Sequence, residues 1–288
     1  MNIAIHAHVF YPELWEELAD CLRNFQGYPY DLFVTTPHSD ETLKRRILSD
    51  FPHADYRILE NRGYDLGPFI DVLNSLDLSK YDYIVKLHTK RDWSGWFNFM
   101  HVHGPQWRNM LLSFCRTRQA VENALDVFQR NPKAGMVANA SLIITHGDYP
   151  ESESVKQRAE QLLAKARLLP AQRIFIAGTM FIARAQLLKP LQGLRTLNDF
   201  EPVLQHEVGT LAHAYERLLG YVISAQGQDI VPIGSPKNTF AVLWPMIVPA
   251  YRILAAIYRK LGCWRASISP QFRFHYLIGH FRARQIPT

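Results

Sequence analysis

Residues 55–88, DYRILENRGYDLGPFIDVLNSLDLSKYDYIVKLH, contain the unit that decides the fold. A short strand is predicted at 55–60, and a helix follows over 68–76 because Pro68 suits the first turn of a helix. The apolar run at 82–88 predicts a second strand. Strand, helix and strand in this order form a βαβ unit, whose two strands lie parallel in one sheet. The stretch therefore predicts an α/β fold.

The same alternation continues on both sides of this unit. Further strands are predicted at 2–9, 31–36, 134–139, 174–183 and 220–225. Further helices are predicted from Pro12 onwards and at 41–50, 105–130, 154–168 and 201–219. We therefore expect one α/β domain over residues 1–232, built on a mostly parallel sheet flanked by helices.

The composition excludes several classes of protein. The chain has 288 residues, of which 48% are hydrophobic and 20% charged, a balance typical of globular proteins. Its cysteines, Cys21, Cys115 and Cys263, are far apart, which excludes a disulfide scaffold or a CxxC zinc site and fits a reducing compartment. The N-terminus has no basic segment before an apolar core, so we expect no secretory signal. GxSxG, GxxxxGK[ST] and GxGxxG motifs are absent from the sequence, which argues against hydrolase, P-loop and dinucleotide-binding functions.

The positive charge is concentrated at the end of the chain. The net charge is +6, and residues 230–288 contain two Lys, six Arg and no acidic residue. Within them, residues 238–251 are uncharged, a run shorter than the roughly twenty residues of a membrane-spanning helix. We expect residues 233–288 to form a basic helical extension that either associates with an anionic membrane surface or packs on the domain.

A polar turn inside the βαβ unit is the first candidate binding segment. Gly63 and Gly67 permit tight turns, and beside them lie Asn61, Arg62 and Asp65. Open α/β sheets bind ligands at the carboxyl ends of their parallel strands, so we expect these polar side chains to face a crevice. The alternative is an ordinary capped turn, which does not require three such polar residues beside two glycines.

The end of the next strand carries a second candidate group. Alternation along the strand places Lys86, His88 and Lys90 on one face, an arrangement that suits a diphosphate. A solvated basic loop is the alternative. The apolar strand before them favours burial of Lys86 and therefore a functional role.

Two His-x-His pairs raise the question of a metal site. His6 and His8 share a strand face, and so do His101 and His103 if that segment is extended. A protein-bound metal needs three or four ligands, and no cysteine or carboxylate lies nearby at ligand spacing. We therefore expect His6 and His8 to line a sugar crevice and not to bind a metal.

Two later segments contribute further candidates. Gly178 and Thr179 interrupt an apolar strand, where a simple glycine bulge is the alternative. His213 shares a helix face with Glu216 and with Arg217. Glu216 is a candidate general base, although an ordinary exposed helix pair is an equal alternative.

The order of these motifs resembles the rhamnan synthesis protein F family of bacterial polysaccharide glycosyltransferases. The matching stretches are HAHVFYPELWEEL (from His6), YDLFVTT (from Tyr30), ENRGYDLGPF (from Glu60), YDYIVKLHTKR (from Tyr81), FIAGTMFIAR (from Phe175) and HAYERLLG (from His213). Several long motifs in one order are more specific than any motif alone. The resemblance covers about residues 1–235 and leaves out the basic extension.

The resemblance implies transfer of a sugar, typically rhamnose from dTDP-rhamnose, to a lipid-linked glycan acceptor at the cytoplasmic face of the membrane. The motif order also looks like the GT-A glycosyltransferase layout, which implies a nucleotide-sugar donor. GT-A enzymes usually carry an Asp-x-Asp metal motif where this chain has His88-Thr89-Lys90. We therefore expect no metal cofactor, with Mn²⁺ or Mg²⁺ held by a distant acid as the alternative. Lys86, His88 and Lys90 would then neutralise the leaving diphosphate.

An inverting enzyme of this kind, which we expect here, needs a carboxylate to deprotonate the acceptor hydroxyl. The family's acidic helix favours Glu216 or Glu207, and Asp65 is a donor-sugar contact or a third candidate base. The alternative function is a non-catalytic GT-A-like module that binds or assembles carbohydrate, which the missing Asp-x-Asp motif supports. A nucleic-acid-binding function is not favoured, because no recognisable module surrounds the basic residues.

Overall fold

A computed structural model of the protein describes residues 1–97, 100–145, 153–169, 171–203 and 209–234. Glu207 and almost all of the predicted basic extension lie outside these ranges, so the helical extension and the domain boundary at residue 232 stay predictions. Within the described ranges, no helix is both long enough and apolar enough to cross a lipid bilayer.

Strands and helices alternate along the described part of the chain. The strands are β1 (Ile3–His8), β2 (Tyr30–Thr36), β3 (Asp55–Ile58), β4 (Tyr83–His88), β5 (Gly95–Phe97), β6 (Met100–Val102), β7 (Ala134–Asn139), β8 (Ile143–Thr145), β9 (Ile174–Ile176), β10 (Phe181–Arg184) and β11 (Asp229–Ile233). The α-helices are α1 (Trp15–Arg23), α2 (Glu41–Asp50), α3 (Leu66–Ser75), α4 (Pro105–Leu111), α5 (Arg118–Arg130), α6 (Glu153–Lys165) and α7 (Leu211–Ala225).

Seven of these strands form the central sheet, in the order β11-β7-β10-β4-β1-β2-β3. β1 pairs parallel with β2 and β4, β2 pairs parallel with β3, and β7 pairs parallel with β11. β10 runs antiparallel to both of its neighbours, β4 and β7. Every residue of β1 and β4 is buried, as expected when helices cover both faces of a sheet. The predicted α/β class, with a mostly parallel sheet flanked by helices, is confirmed.

The predicted strand at 220–225 is wrong. These residues form the last turns of α7, and the final strand is β11. Nearly all of α7 is buried, so its second half is apolar on every side and shows no helical periodicity. A short apolar run of this kind does not distinguish a buried strand from a buried helix.

Three other predicted boundaries also differ. The strand predicted at 174–183 is divided into β9 and β10 by a turn at Gly178 and Thr179, which both have positive φ angles. The helix predicted at 105–130 is divided into α4 and α5, because the Thr117 side chain caps a new helix by accepting from the amide of Ala120. The helix predicted at 201–219 begins at Leu211.

The sheet places three chain segments at one edge. β1 and β4 lie in register, with His6 opposite Lys86 and His8 opposite His88. β10 pairs with the same strand, with Phe181 opposite Lys86, so the turn before β10 lies at the carboxyl end of β4. The turn before α3 reaches the same edge, since Asp65 contacts Lys86. This edge holds the candidate site.

Candidate functional site

A cleft of about 300 Å³ opens at the carboxyl end of β4. Its walls are the turn before α3, the end of β4 with the residues that follow it, the turn between β9 and β10, and the first turns of α7. The lining residues are Tyr64, Asp65, Leu66, His88, Lys90, Gly178, Thr179, Ala212, His213 and Glu216. Seven of the sequence-predicted site residues, from four separate segments, therefore meet in one cleft.

An ion pair between the buried Lys86 and Asp65 forms the floor of this cleft. Lys86 is 0% exposed, and its ammonium group donates to Oδ2 of Asp65 and to the hydroxyl oxygen of Thr179, at 2.9 Å for the latter. The Thr179 hydroxyl donates in turn to the same Asp65 oxygen at 2.7 Å. Lys86 also donates to the Thr179 carbonyl at 3.2 Å. These bonds fix the Asp65 carboxylate against the β9–β10 turn.

The surroundings keep this pair ionised. Burial by itself raises the pKa of Asp65, but His88, Lys86 and Lys90 together hold that pKa well below its usual value. Burial lowers the pKa of Lys86, and Asp65 opposes the lowering. Burial also lowers the pKa of His88 to about 4, so its ring is neutral at pH 7. At that pH the two lysines are therefore the charges that stabilise the carboxylate.

The neutral His88 ring has a defined orientation. Its Nε2 lies 2.8 Å from the carbonyl oxygen of Gly178. The other ring nitrogen, Nδ1, lies 3.2 Å from the carbonyl oxygen of Thr89. A carbonyl oxygen only accepts hydrogen bonds and a neutral ring has one proton, so the shorter contact favours the proton on Nε2. His88 thereby joins the end of β4 to the β9–β10 turn.

Both turns that border the cleft contain strained backbone. Tyr64 has φ 55° and Thr179 has φ 54°, in the left-handed region that residues other than glycine rarely occupy. Each follows a glycine, Gly63 or Gly178, that is also left-handed. Such conformations cost of order 1–3 kcal/mol each and tend to cluster at functional sites. Their presence on two facing walls supports a functional role for this cleft.

Glu216 projects from α7 into the cleft with both carboxylate oxygens occupied. Oε1 accepts from the amide of Gly178 at 3.1 Å, and Oε2 accepts from the guanidinium of Arg217. Arg217 itself is buried and lies over the Phe175 ring, 4.2 Å from its centroid. The carboxylate is therefore held against the same turn that carries Thr179.

His213 lies one helical turn before Glu216 and also lines the cleft. Its Nδ1 is 2.7 Å from the hydroxyl of Thr210, and its ring meets the Tyr64 ring edge-on with centroids 6.1 Å apart. Burial lowers the pKa of His213, although Glu216 opposes the lowering. The imidazole is thus mostly neutral at pH 7.

His6 and His8 lie behind the ion pair and do not line the cleft. The hydroxyl of Thr35 lies 2.8 Å from His6 Nε2 and 2.9 Å from His8 Nδ1. Burial lowers the pKa of both rings, that of His8 to about 3. A direct sugar contact stays a prediction for both, and their observed place is in the layer that supports Lys86.

The remaining polar residues of the turn before α3 fasten it to residues 197–203. Arg62 donates to the carbonyl of Phe200 at 3.1 Å, and the carbonyl of Asn61 accepts from the amide of Val203. A Cβ at Gly63 would overlap the Phe200 ring, so only glycine permits this approach. Substrate contacts by Asn61, Arg62, Gly63 and Gly67 stay predictions, because these residues do not line the cleft.

Sequence analysis missed three cleft residues, Tyr64, Leu66 and Ala212. Tyr64 lies inside the ENRGYDLGPF motif, and its position between Gly63 and Asp65 could have identified it as a candidate site residue. Within the described ranges, no three His, Cys, Asp or Glu side chains are grouped so that they could hold a metal ion. Independence from metal ions stays a prediction.

A mostly parallel α/β sheet with a polar cleft at the ends of its strands defines a ligand-binding α/β protein. The family model of rhamnan synthesis protein F matches residues 1–228, and the chain belongs to that family. The predicted family is thereby confirmed. The match includes the turn before α3, the turn between β9 and β10, the strand β4 and the helix α7.

The chain is also similar to the uncharacterized protein WxcX from two strains of Xanthomonas campestris pv. campestris. The identity is 26% over 237 residues, which is 78% of this chain. The chain spans about a third of these relatives, 32% of their length.

Among solved structures, the chain is similar to residues 1–349 of S. aureus TarS, with 12% identity and a TM-score of 0.38 over 77% of this chain and 55% of that one. TarS structures in complex with UDP and with UDP-GlcNAc, each at 12% identity, give TM-scores of 0.37. They cover 77% and 76% of this chain and 56% and 54% of theirs. The likeness is distant.

Proposed function

We propose that the protein is a glycosyltransferase that moves a sugar from a nucleotide-sugar donor to a growing polysaccharide. Its family, named for rhamnan synthesis, supports this class of reaction. The observation that carries the proposal is the placement of Lys90 and Glu216 on different walls of one cleft. A cation for a leaving diphosphate and a carboxylate for an acceptor hydroxyl are the two groups that the reaction needs.

Lys90 supplies the cation that contacts the diphosphate. It is exposed and lines the cleft, and it has no ion-pair partner among the residues that the structure describes. Lys86 is enclosed by Asp65 and Thr179, and His88 is neutral at pH 7. Of the three predicted cations, Lys86 therefore acts through Asp65, and Lys90 has a charge available to a ligand.

Glu216 acts as the general base. The acceptor hydroxyl passes its proton to a Glu216 oxygen while its oxygen bonds to the anomeric carbon of the donor sugar. The bond from that carbon to the diphosphate breaks, and its electron pair leaves with the nucleoside diphosphate beside Lys90. A carboxylate has about four acceptor positions, so both oxygens can accept a further bond. A base and a leaving group on different walls suit inversion at the anomeric carbon.

The finer assignments of this proposal rest on the family. We infer rhamnose from dTDP-rhamnose as the donor, and a lipid-linked glycan at the cytoplasmic face of the membrane as the acceptor. The reaction proceeds without a divalent ion, since His88-Thr89-Lys90 stands where carboxylates would bind one. A non-catalytic carbohydrate-binding module is the second candidate, and the same missing carboxylates favour it.

One experiment separates these two functions. The full chain is incubated with dTDP-rhamnose and other nucleotide sugars, with and without a short oligorhamnoside primer, and release of nucleoside diphosphate is measured. We expect primer-dependent release that EDTA does not reduce. Loss of release in EDTA with recovery in Mn²⁺ would refute metal independence. Primer binding without release from any donor would identify a binding module.

A further inference from the structure

A second cleft, of about 290 Å³, lies on the other side of the first turn of α7. Leu211 lines this cleft and the next residue, Ala212, lines the first one, so a single helical turn separates them. The polar lining of the second cleft consists of Arg158, Gln161, Lys165, Arg195, Asp199 and Glu201. None of these residues has a role in the reaction described above.

The second cleft presents groups of both signs. Arg158, Lys165 and Arg195 only donate hydrogen bonds, the carboxylates of Asp199 and Glu201 only accept them, and Gln161 does both. Sugar hydroxyls both donate and accept, so a polyhydroxylated ligand matches this mixture. A phosphate or a polyanion matches the three cations but is repelled by the two carboxylates. The lining therefore favours a glycan over an anion.

Two cations of this cleft remain available to a ligand. Lys165 is exposed and has no ion-pair partner among the described residues. Arg195 is 34% exposed, and the nearest carboxylate oxygen, on Asp199, is 3.7 Å away. Beneath the surface, the buried Tyr215 hydroxyl makes no hydrogen bond within the described ranges, and its charged neighbours are Arg195 and Asp199.

Glu201 joins this cleft to the first one. Its side chain accepts from the amide of Leu211 at 2.9 Å and from Arg158 at 3.0 Å. Its carbonyl accepts from the amide of Gly63 at 3.1 Å, next to the residues Tyr64 and Asp65 that line the first cleft. Glu201 and the first turn of α7 therefore lie between the two clefts and contact the residues that line both.

We propose that the second cleft binds the preceding sugars of the acceptor glycan while its terminal sugar occupies the first cleft. This inference rests on the proposed function, because it treats the first cleft as the place of transfer. The acceptor is then recognised as a chain of several sugars. Lys165 and Arg195 donate hydrogen bonds to its hydroxyl groups.

The test measures glycan binding directly and independently of transfer. Isothermal titration calorimetry on the full chain compares oligorhamnosides of one to four sugars, and we expect affinity to rise with length. The variant Lys165→Gln/Arg195→Gln should weaken binding of the longest ligand about tenfold, because hydrogen bonds from charged donors are lost. The affinity for dTDP and for the monosaccharide should not change. Lys133→Gln/Arg130→Gln, which alters exposed cations at the end of α5 and in the turn before β7, is the matched control.

Each outcome decides the inference. Equal length dependence in the double variant and the wild type would overturn it. The inference would also be overturned if the wild type binds inorganic phosphate and the double variant does not, while glycan binding persists in both. That result would identify an anion site. If no donor is turned over but glycan binding is lost in the double variant, the second cleft stands and the proposed function fails. If a donor is turned over but the double variant binds glycans as tightly as the wild type, the proposed function stands and the inference about the second cleft fails.

Discussion

Lys86 and Asp65, separated by 21 residues in the chain, form an ion pair whose ammonium group is fully buried and whose carboxylate, 16% exposed, lines the cleft. Removing an ammonium and a carboxylate from water costs several kcal/mol each, which only close pairing and further hydrogen bonds offset. Thr179 completes that pairing from a third segment. The pair therefore aligns the end of β4, the start of α3 and the β9–β10 turn as one unit.

Asp65→Asn should lower the free energy of unfolding by about 3–5 kcal/mol, because the buried ammonium of Lys86 then loses its nearest counter-charge. The double variant Asp65→Asn/Lys86→Met removes that charge as well and should regain much of the loss. Urea unfolding of the full chain measures both values. Asp71→Asn is the control, since its contact with Arg57 is 3.7 Å and partly exposed, and it should cost less than about 1 kcal/mol. A cost equally small for Asp65→Asn would contradict the buried pair.

The sequence predicted this edge of the sheet well, for a physical reason. Parallel strands end at a common edge, which places the polar residues after 55–60 and at the end of 82–88 on the same side of the sheet. β1 and β2 lie between β3 and β4, so the contact itself forms because the turn before α3 reaches back to Lys86. The apolar strand before Lys86 correctly indicated its burial. Which acid would pair with it depends on the β9–β10 turn and on α3, and strand alternation does not specify that contact.

Other features could not be predicted from local pattern. The apolar second half of α7 has the composition of a strand, and only its packing makes it a helix. His6 and His8 share a strand face as predicted, but their contacts with Thr35 of β2 could not be foreseen from alternation along one strand. The second cleft is lined by residues of α6, residues 195–201 and Leu211, none of which belongs to a motif quoted above.

Lys90→Gln should weaken binding of dTDP by about tenfold, because a charge-assisted hydrogen bond to phosphate is lost. Since Lys90 is exposed, the fold should be unaffected. Titration calorimetry measures the dissociation constant, and raising the salt concentration should weaken the wild type more than the variant. Lys80→Gln, an exposed lysine before the other end of β4, should leave dTDP binding unchanged. Equal affinity in Lys90→Gln would remove this residue from the diphosphate site.

Stability should fall as the pH is lowered from about 6.5 to 4. Burial lowers the pKa of His6, of His8 to about 3 and of His88 to about 4. Below pH 6.5 the unfolded chain therefore binds protons that the folded chain does not, and the free energy of unfolding decreases with falling pH. Each histidine contributes at most about 1.4 kcal/mol per pH unit. The Asp65 carboxylate adds its own loss only at lower pH, because its pKa is held below the usual value.

Urea unfolding at pH 7.5, 6 and 5 measures this slope. His8→Asn should reduce it by up to about 1.4 kcal/mol per pH unit, whatever its effect on stability at pH 7.5. His53→Gln alters an exposed histidine and should leave the slope unchanged. A wild-type slope near zero over this range would show that the three buried rings accept protons in the folded state.

Glu216→Gln should reduce turnover by about 10²–10⁴-fold, the usual contribution of a general base. Glutamine retains an oxygen that can accept from the amide of Gly178, so the β9–β10 turn should keep its place. Affinity for dTDP should change little, because the base acts on the acceptor. Glu122→Gln on α5, which breaks an exposed 2.9 Å pair with Arg118, is the control and should retain full turnover.

A structural role for Glu216 makes a different prediction. The carboxylate pairs with Arg217, which is 6% exposed, so its removal leaves a buried charge without its nearest counter-charge. If turnover is lost only because the fold is destabilised, Glu216→Gln unfolds at a lower urea concentration than the wild type, and the turnover of each folded molecule stays normal. A base role instead lowers turnover of the folded protein. If Glu216→Gln and Glu207→Gln both keep near-normal turnover, Asp65 becomes the candidate, and Asp65→Asn should then retain dTDP binding while losing transfer.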